Sequence, residues 1–418
     1  MGKLVYQLGI FLLKTFLHTH ALFNQKSKLS VQGRKNLFSE LETTLNGNKR
    51  PLVWFHCASL GEFEQGRPLI EAFKANFPEY FILLTFFSPS GYEVKKSYEH
   101  ADYISYMPLD SSGNAKRFVK IAEPKMAFFI KYEFWYFHLK ALSAINCWIF
   151  SVSAIFRSEQ VFFKPYGKFY RSLLKEIDHF FVQNESSEAL LKGLHIYNVS
   201  ITGDTRFDRV NEIVQTIQPN QKFLKFADGH QLLIGGSTWE PDIKAIAPFL
   251  QQHENWKAII APHDISEQNL KIHESQLKIK TIRLSKIPNE IPADVKVILI
   301  DNIGMLSQLY QYGTVAFIGG AFGAGLHNTL EAACFGLPIF FGNKNYQKFQ
   351  EARQLLKIGA AHTVSEGNDF NLQLESQLQE KKLSLMSEKA RIFVNANLGA
   401  TDKIIQHVTP LVHQIEKS

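Results

Sequence analysis

The chain has 418 residues, 45% of them hydrophobic and 20% charged, which excludes a disordered protein and exceeds what one hydrophobic core serves, so two domains are expected. A formal charge of +7 favours an anionic partner. The Lys and Arg are scattered rather than interleaved with aromatics along a groove, so phosphate or an anionic membrane surface is expected and nucleic acid is not.

The first segment, KLVYQLGIFLLKTFLHTHALF, is apolar but interrupted by Gln7, Lys14, His18 and His20, and it lacks the small-residue cleavage site of a secretory signal. On a helical period Lys3, Gln7, Lys14 and His18 form one face, with Leu4, Val5, Leu8, Phe11, Leu12 and Phe16 beside or opposite it. Lys14 near the centre would be costly inside a bilayer, so the segment reads as a helix lying in the membrane interface, the alternative being an amphipathic helix packed on its own domain. Lys26, Lys28, Arg34 and Lys35 follow, as expected of a segment beside anionic lipid. Residues 1–30 are therefore assigned to an amphipathic, membrane-anchoring helix.

From residue 52 short apolar runs alternate with helical spacers. The strand candidates of the first half are 52–58, 80–86, 126–130, 147–152, 179–182 and 198–202. They are hydrophobic throughout, as strands covered on both faces are, and the spacers accommodate crossover helices. After a polar, Pro-containing joint near residues 210–222 a second series begins: 232–235, 257–261, 297–300, 314–319 and 338–341. The expected fold is α/β, two Rossmann-like doubly wound domains at 31–212 and 213–400, with a terminal helix at 401–418 returning to the first. The polar stretch 366–390 reads as solvated helix. Cys57, Cys147 and Cys334 lie apart in apolar segments, without metal-ligand spacing, and read as buried, reduced thiols.

Doubly wound domains bind ligands at the carboxyl ends of their strands, and two facing halves would make a cleft. After the first strand, ASLGEFEQG places Glu62 at the turn into a helix, either as an ordinary helix-start acid complementing the dipole or as a general base held by rigid backbone. TFFSPSGYE offers Ser88, Ser90 and the Gly91 amide, or simply a turn. In VAFIGGAFGAGLHNTLEAACFGLPIFFG a strand ends at Gly319 and Gly320, a glycine-rich loop leads to His327 and Asn328, and Glu331 falls in the first turn of a helix. Glycines admit a close backbone approach to phosphate, and an early-helix glutamate can accept from ribose hydroxyls. This suggests a nucleotide site distinct from the dinucleotide fingerprint, with a capped tight turn as the plain alternative. The loops GGSTWE, APHD and DNIGM would form its rim.

The ordered motifs HCASLGE, TFFSPSGYE, YEFW, FVQNE, TGDTRFD, GSTWE and HNTLEAA resemble the 3-deoxy-D-manno-octulosonic acid (Kdo) transferases of lipopolysaccharide synthesis, from the amino-terminal helix to about residue 365. The resemblance implies a glycosyltransferase B fold on the cytoplasmic face of the inner membrane. It implies an inverting transfer of Kdo from CMP-Kdo to a lipid A precursor (lipid IVA), with no metal and no cofactor, CMP-Kdo being a substrate. It places the general base on Glu62 and assistance on Arg206 and Lys131. Donor contacts fall on Pro262, His263, Ile303, Gly304, Met305, Gly320, His327, Asn328, Thr329, Leu330 and Glu331, and acceptor contacts on Ser59, Ser88, Ser90 and Gly91. The chain departs from the family pattern at Lys131, where many members carry glutamate, at Pro262-His263, where members often read Pro-Arg-His, and at Ala321 and Leu326. The rival readings are a UDP-sugar transferase or epimerase of the same architecture and a non-catalytic, membrane-associated nucleotide-binding module.

Overall fold

A computed structural model describes residues 2–288, 290–379 and 382–417. They divide into two units, one formed by residues 1–209 with 398–418 and the other by residues 210–397. In the first unit, β1 (Leu52–Cys57), β2 (Phe81–Phe86), β3 (Tyr103–Tyr106), β4 (Met126–Ile130), β5 (Trp148–Ala154), β6 (His179–Val182) and β7 (Val199–Ile201) form a parallel sheet of order β3-β2-β1-β4-β5-β6-β7. Every residue of β1, β2 and β4 is buried because helices cover both faces. Trp54 and Phe129 meet edge-on at 5.2 Å on one face, while Phe55 and Phe128 stack at 4.8 Å on the other.

The terminal helix Ala400–Glu416 closes that second face, burying Ile404, Ile405, Val408 and Val412 against the Phe55 and Phe128 side. Each such aliphatic contributes about 1.5–3 kcal/mol before the entropy of ordering is subtracted. Asp208 fixes where the helix begins, accepting from the Gly399 and Thr401 amides at 2.7 Å each.

The second unit repeats the plan. Here β8 (Gln231–Thr238), β9 (Trp256–Pro262), β10 (Thr281–Arg283), β11 (Val297–Leu299), β12 (Val315–Ile318), β13 (Ile339–Gly342) and β14 (Ala361–Val364) form a parallel sheet of order β10-β11-β9-β8-β12-β13-β14. Three of these fourteen strands have no counterpart among the apolar runs of the sequence: β3, β10 and β14. All three lie at sheet edges. An edge strand is relieved of covering on one side, so its sequence need not be apolar throughout. The stretch 366–390 contains two helices, Asp369–Gln379 and one beginning at Leu383.

The strand order reverses between β1 and β4 in the first sheet and between β8 and β12 in the second. These are the switch points at which diverging crossovers leave an open crevice at the carboxyl edge. Glu62 and Lys131 follow β1 and β4, while Trp239 and Gly319-Gly320 follow β8 and β12.

The first helix, Gly2–His20, buries no residue fully, and among the described residues no helix is long and apolar enough to cross a membrane. Tyr6, Ile10, Leu13 and Leu17 make a half-buried stripe, whereas Leu4, Val5, Leu8, Phe11, Leu12 and Phe16 are each more than half exposed. The helix thus has a narrow docking face and a separate, broad apolar face in solvent. Arg34 corrects one expectation drawn from charge alone: it is no free headgroup ligand. Its guanidinium donates to the Met107 and Phe87 carbonyls at 2.8 and 2.7 Å and to Ser30.

Asp110 anchors the Tyr6 end of the docking stripe. Its carboxylate accepts from the Tyr6 hydroxyl at 2.5 Å, the Phe137 and His138 amides at 3.0 and 2.9 Å, and His138 Nδ1 at 2.6 Å, so it also caps the helix Tyr136–Ser143 from outside. Burial would raise its pKa, but the His138 hydrogen bond and charge, Tyr6 and the Phe137 amide outweigh it and hold it below the ordinary 3.8. That stabilisation is fully present above pH 3.8 and is lost as pH falls through the lower folded value. Asp110→Ala, which strands these donors, is expected to destabilise the first unit by about 3 kcal/mol or more at pH 7. In urea unfolding the gap to wild type should narrow below pH 3.8, and a gap independent of pH would contradict this account.

Candidate active site

Glu62 stands in the first turn of the helix Leu60–Asn76, directly after β1. It is half-buried, and among the described residues it forms no salt bridge. The Ser59 hydroxyl donates to its Oε2, while Oε1 accepts from none of the described residues. One oxygen is therefore anchored and the other available, the arrangement a proton acceptor needs. Glu64 is engaged by Lys95 at 3.2 Å instead. Ser59, an acceptor candidate by sequence, is here the residue that orients Glu62.

Neighbouring loops of the same edge lie close by. The Ser88 amide donates to the Ala58 carbonyl at 2.7 Å, joining the loops after β2 and β1, and the Ser88 and Ser90 hydroxyls pair at 3.0 Å. At Gly91 a Cβ would sit 2.2 Å from the Phe86 ring, so that position is needed for packing. Lys131 has φ +65°, its amide donating to Val152 O at 2.7 Å and its carbonyl accepting from the Ser151 hydroxyl at 2.8 Å. Glu133, two residues on, accepts from Trp135 Nε1 at 2.9 Å and lies 3.8 Å from Nε2 of the fully buried His56.

Arg206 opens its helix as a forked donor to Asp204, with Nε–Oδ2 at 2.9 Å and Nη2–Oδ2 at 2.7 Å, and Gln65 Nε2 donates to Asp204 Oδ1 at 2.8 Å. Burial pushes the Asp204 carboxyl up, but Arg206 beside it and the Lys131 charge bring it below the ordinary carboxylate value. Arg206 is thus paired with an acid, Asp204, whose carboxyl also feels the Lys131 charge and which sequence reasoning passed over, although it sits in the TGDTRFD motif. Arg171, a basic residue of the helix Lys168–Leu174, donates to the Phe162 and Lys164 carbonyls at 3.1 and 2.6 Å.

In the second unit the glycine loop approaches backbone at close range. Gly320 has φ +92°, and a Cβ there would lie 2.3 Å from the Gly325 carbonyl oxygen. At Gly319 a Cβ would lie 2.4 Å from the Ser237 carbonyl oxygen. Asp242 Oδ2 ties the two loops of the switch point together, accepting from the Trp239 amide at 2.8 Å and the Gly320 amide at 3.0 Å. Burial pushes its carboxyl up to about 6 against the pull of those amides.

Three rings line the same loops. His263, directly after Pro262 at the end of β9, stacks at 4.7 Å on Trp239 and at 4.5 Å on His327. Trp239 Nε1 donates to His327 Nε2 at 3.2 Å, which leaves the proton of this imidazole on Nδ1. Burial and the His263 charge lower the His327 pKa to about 4, so the ring is neutral at pH 7. Asn328 caps the following turn, its Oδ1 accepting from the Leu330 amide and its Nδ2 donating to Glu331 Oε1, both at 3.0 Å. The side chains of Thr329 and Leu330 are buried, so they can meet a ligand only through backbone. Ile303 is 88% exposed beside Gly304, and Met305 Sδ accepts from Asn302 Nδ2 at 3.1 Å in the loop after β11.

Lys348 is a further neighbour of the glycine loop, its Nζ 3.3 Å from the position of a Cβ on Gly325. It arrives from beyond β13, and no motif in the sequence marks it. Among the described residues no cluster of three or more His, Cys, Asp or Glu is arranged to hold a metal ion.

Two consecutive parallel doubly wound sheets with polar loops at both switch points define the glycosyltransferase B fold. Solved structures of that shape superpose on most of the chain. The UDP-GlcNAc 2-epimerase from Neisseria meningitidis bound to UDP-GlcNAc does so with TM-score 0.63 at 15% identity, over 86% of this chain and 99% of that one. MurG from Acinetobacter baumannii gives TM-score 0.55 at 12% identity, over 86% and 99%. These likenesses concern the fold alone.

Residues 32–209 match the sequence model of the family described as 3-Deoxy-D-manno-octulosonic-acid transferase (kdotransferase). The 3-deoxy-D-manno-octulosonic acid transferase of Aquifex aeolicus (strain VF5) is 27% identical over 82% of this chain and 91% of its own length. That of Rickettsia felis is 26% identical over 86% and 79%. Residues 32–209 thus match the Kdo transferase family model, and the chain is similar to Kdo transferases, which are glycosyltransferases, over most of its length.

Proposed function

We propose that the protein transfers Kdo from CMP-Kdo to the sugar of a lipid A precursor such as lipid IVA, with inversion and with Glu62 as general base. The observation that carries this reading is the half-buried acid at the β1/β4 switch point, held through one oxygen by Ser59 and free of salt bridges among the described residues. In the proposed step Glu62 Oε1 takes the proton of an acceptor hydroxyl as that oxygen bonds to the anomeric carbon of Kdo. The bond from that carbon to the phosphate oxygen of CMP breaks, and its electron pair leaves with CMP. Attack opposite the leaving group inverts the centre.

The donor is assigned to the second unit, with phosphate at the amides of the glycine loop, Lys348 as its cation, ribose on Glu331, and contacts at Pro262, His263 and the segment 303–305. Preorganised amides and a cation need no rearrangement to stabilise the charge that develops on the leaving phosphate. Because Arg206 is already forked onto Asp204, it acts in this scheme mainly by fixing the first unit's carboxyl-edge loops. Mass spectrometry of the product formed from CMP-Kdo and lipid IVA tests the reading, with CMP expected to inhibit and UDP not. No Kdo adduct, or inhibition by UDP alone, would overturn it.

The first helix is assigned to the cytoplasmic leaflet of the inner membrane, where the diphosphorylated acceptor resides. Six large apolar side chains stand more than half exposed on it, followed by Leu22 at 77% and Phe23 at 90% exposure. Such a face gains by entering the headgroup boundary, and Lys14, Lys26 and Lys28 favour an anionic surface. Removing residues 2–23 is expected to abolish co-flotation with phosphatidylglycerol-containing vesicles. Undiminished flotation would count against the anchor.

A further inference from the structure

The first unit has a groove apart from the strand carboxyl ends, with a volume of about 810 Å³, between the helices Ser112–Ala122 and Tyr136–Ser143. It runs from Lys3 and Ser112 down to Pro124, Lys125 and Trp148, where β4 and β5 begin. Its floor includes Val119, Phe137, Ala141 and Trp148, and its rim carries Lys3, Lys116, Lys120, Lys125 and Lys140. Against these five lysines stand Glu123 on the rim and Glu176, which binds Lys140 at 2.6 Å. Lys116, Lys120 and Lys125 form no salt bridge with any described residue. None of the residues named for sugar transfer lines it.

We infer that this groove binds one anionic phospholipid of the bilayer, its acyl chain along the apolar floor and its headgroup phosphate among the lysines. Two features select this class of ligand. A plain anion would use the rim and leave the aromatic and aliphatic floor empty, whereas a neutral lipid would leave the like-charged rim uncompensated. The mouth is also placed for lateral entry: Lys3, 5.8 Å from the centroid of the Phe137 ring, belongs to the first helix and is followed at once by the exposed Leu4 and Val5. A lipid leaving a bilayer at that helix could reach the groove without passing its chain through water. Occupancy would join the helices at 112–122 and 136–143 to the membrane beneath the first helix. The inference rests on the membrane reading of the first helix for its source of ligand, but the groove itself can be tested without a membrane.

The test uses the full chain and monomeric dihexanoylphosphatidylglycerol, below its micellar concentration, in titration calorimetry. Saturable binding is expected, weakened roughly thirtyfold by the joint change Lys116→Ala and Lys120→Ala, which removes two lysines' attraction for an anionic headgroup. Ala144→Trp, at an exposed lining position, should block the floor and abolish it. Dihexanoylphosphatidylcholine and glycerol phosphate should not bind at the same concentrations. Binding unaltered in these variants, or equal binding of the neutral lipid or of glycerol phosphate, would overturn the inference, as would no binding at all. Vesicle flotation of the chain lacking residues 2–23 separates the two readings. Flotation lost while the soluble lipid fails to bind wild type rejects the groove and keeps the helix. Flotation kept while the soluble lipid binds rejects the helix and keeps the groove.

Discussion

Glu62→Gln is expected to lower turnover by on the order of a hundredfold or more while leaving CMP affinity unchanged. The substitution keeps the volume and an oxygen to accept from the Ser59 hydroxyl, so the local helix start should persist. What would be lost, if Glu62 is the proposed base, is the ability to take the acceptor proton. The residues proposed to bind the donor belong to the other unit and keep their own contacts. Glu64→Gln is the matched control: this acid is held by Lys95 at 3.2 Å, and turnover should stay within a few-fold of wild type. Single-turnover rates together with calorimetric CMP titration decide the matter, and near-normal turnover in Glu62→Gln would remove the assigned base.

Gly320→Ala is expected to weaken CMP binding by about a hundredfold. A side chain at φ +92° carries a backbone cost of ~1–3 kcal/mol, and its Cβ would lie 2.3 Å from the Gly325 carbonyl oxygen, so the loop must open. Opening would also pull the Gly320 amide from Asp242, which joins the loops after β8 and β12. Gly323, three residues on, has no atom within 4 Å of an added Cβ, so Gly323→Ala should bind CMP as wild type does. Equal affinities in both variants would show that the glycine loop does not cradle the nucleotide.

The central strands were legible because they are buried on both faces and therefore apolar throughout: LVWFHC, FILLTF and MAFFI stand out as unbroken runs. YISY, TIR and AHTV did not, since strands at sheet edges are specified by a neighbour's backbone more than by their own composition. Glycine and polar loops after strands marked the candidate site, because a parallel sheet leaves its ligand crevice at that edge. The first helix was legible only in part. Its periodicity displays the apolar and basic faces, but Tyr6 of the docking stripe is held by Asp110, 104 residues away.

What the sequence by itself determined is the alternation of buried strand and covering helix, and with it the two doubly wound sheets, since periodic burial is a local property of the chain. Only tertiary structure decided which charges remain available: Arg34 donates to carbonyls of distant loops, Gln65 reaches Asp204 from 139 residues away, and Lys348 comes to the glycine loop from beyond another strand. Glu62 is held by a serine three residues away, a local contact, whereas Glu64 is held by Lys95, which packing brings from the helix Pro89–Lys95. The reason is physical: hydrophobic pattern repeats along the chain, whereas the partner of a polar group is whatever long-range packing brings within hydrogen-bond reach.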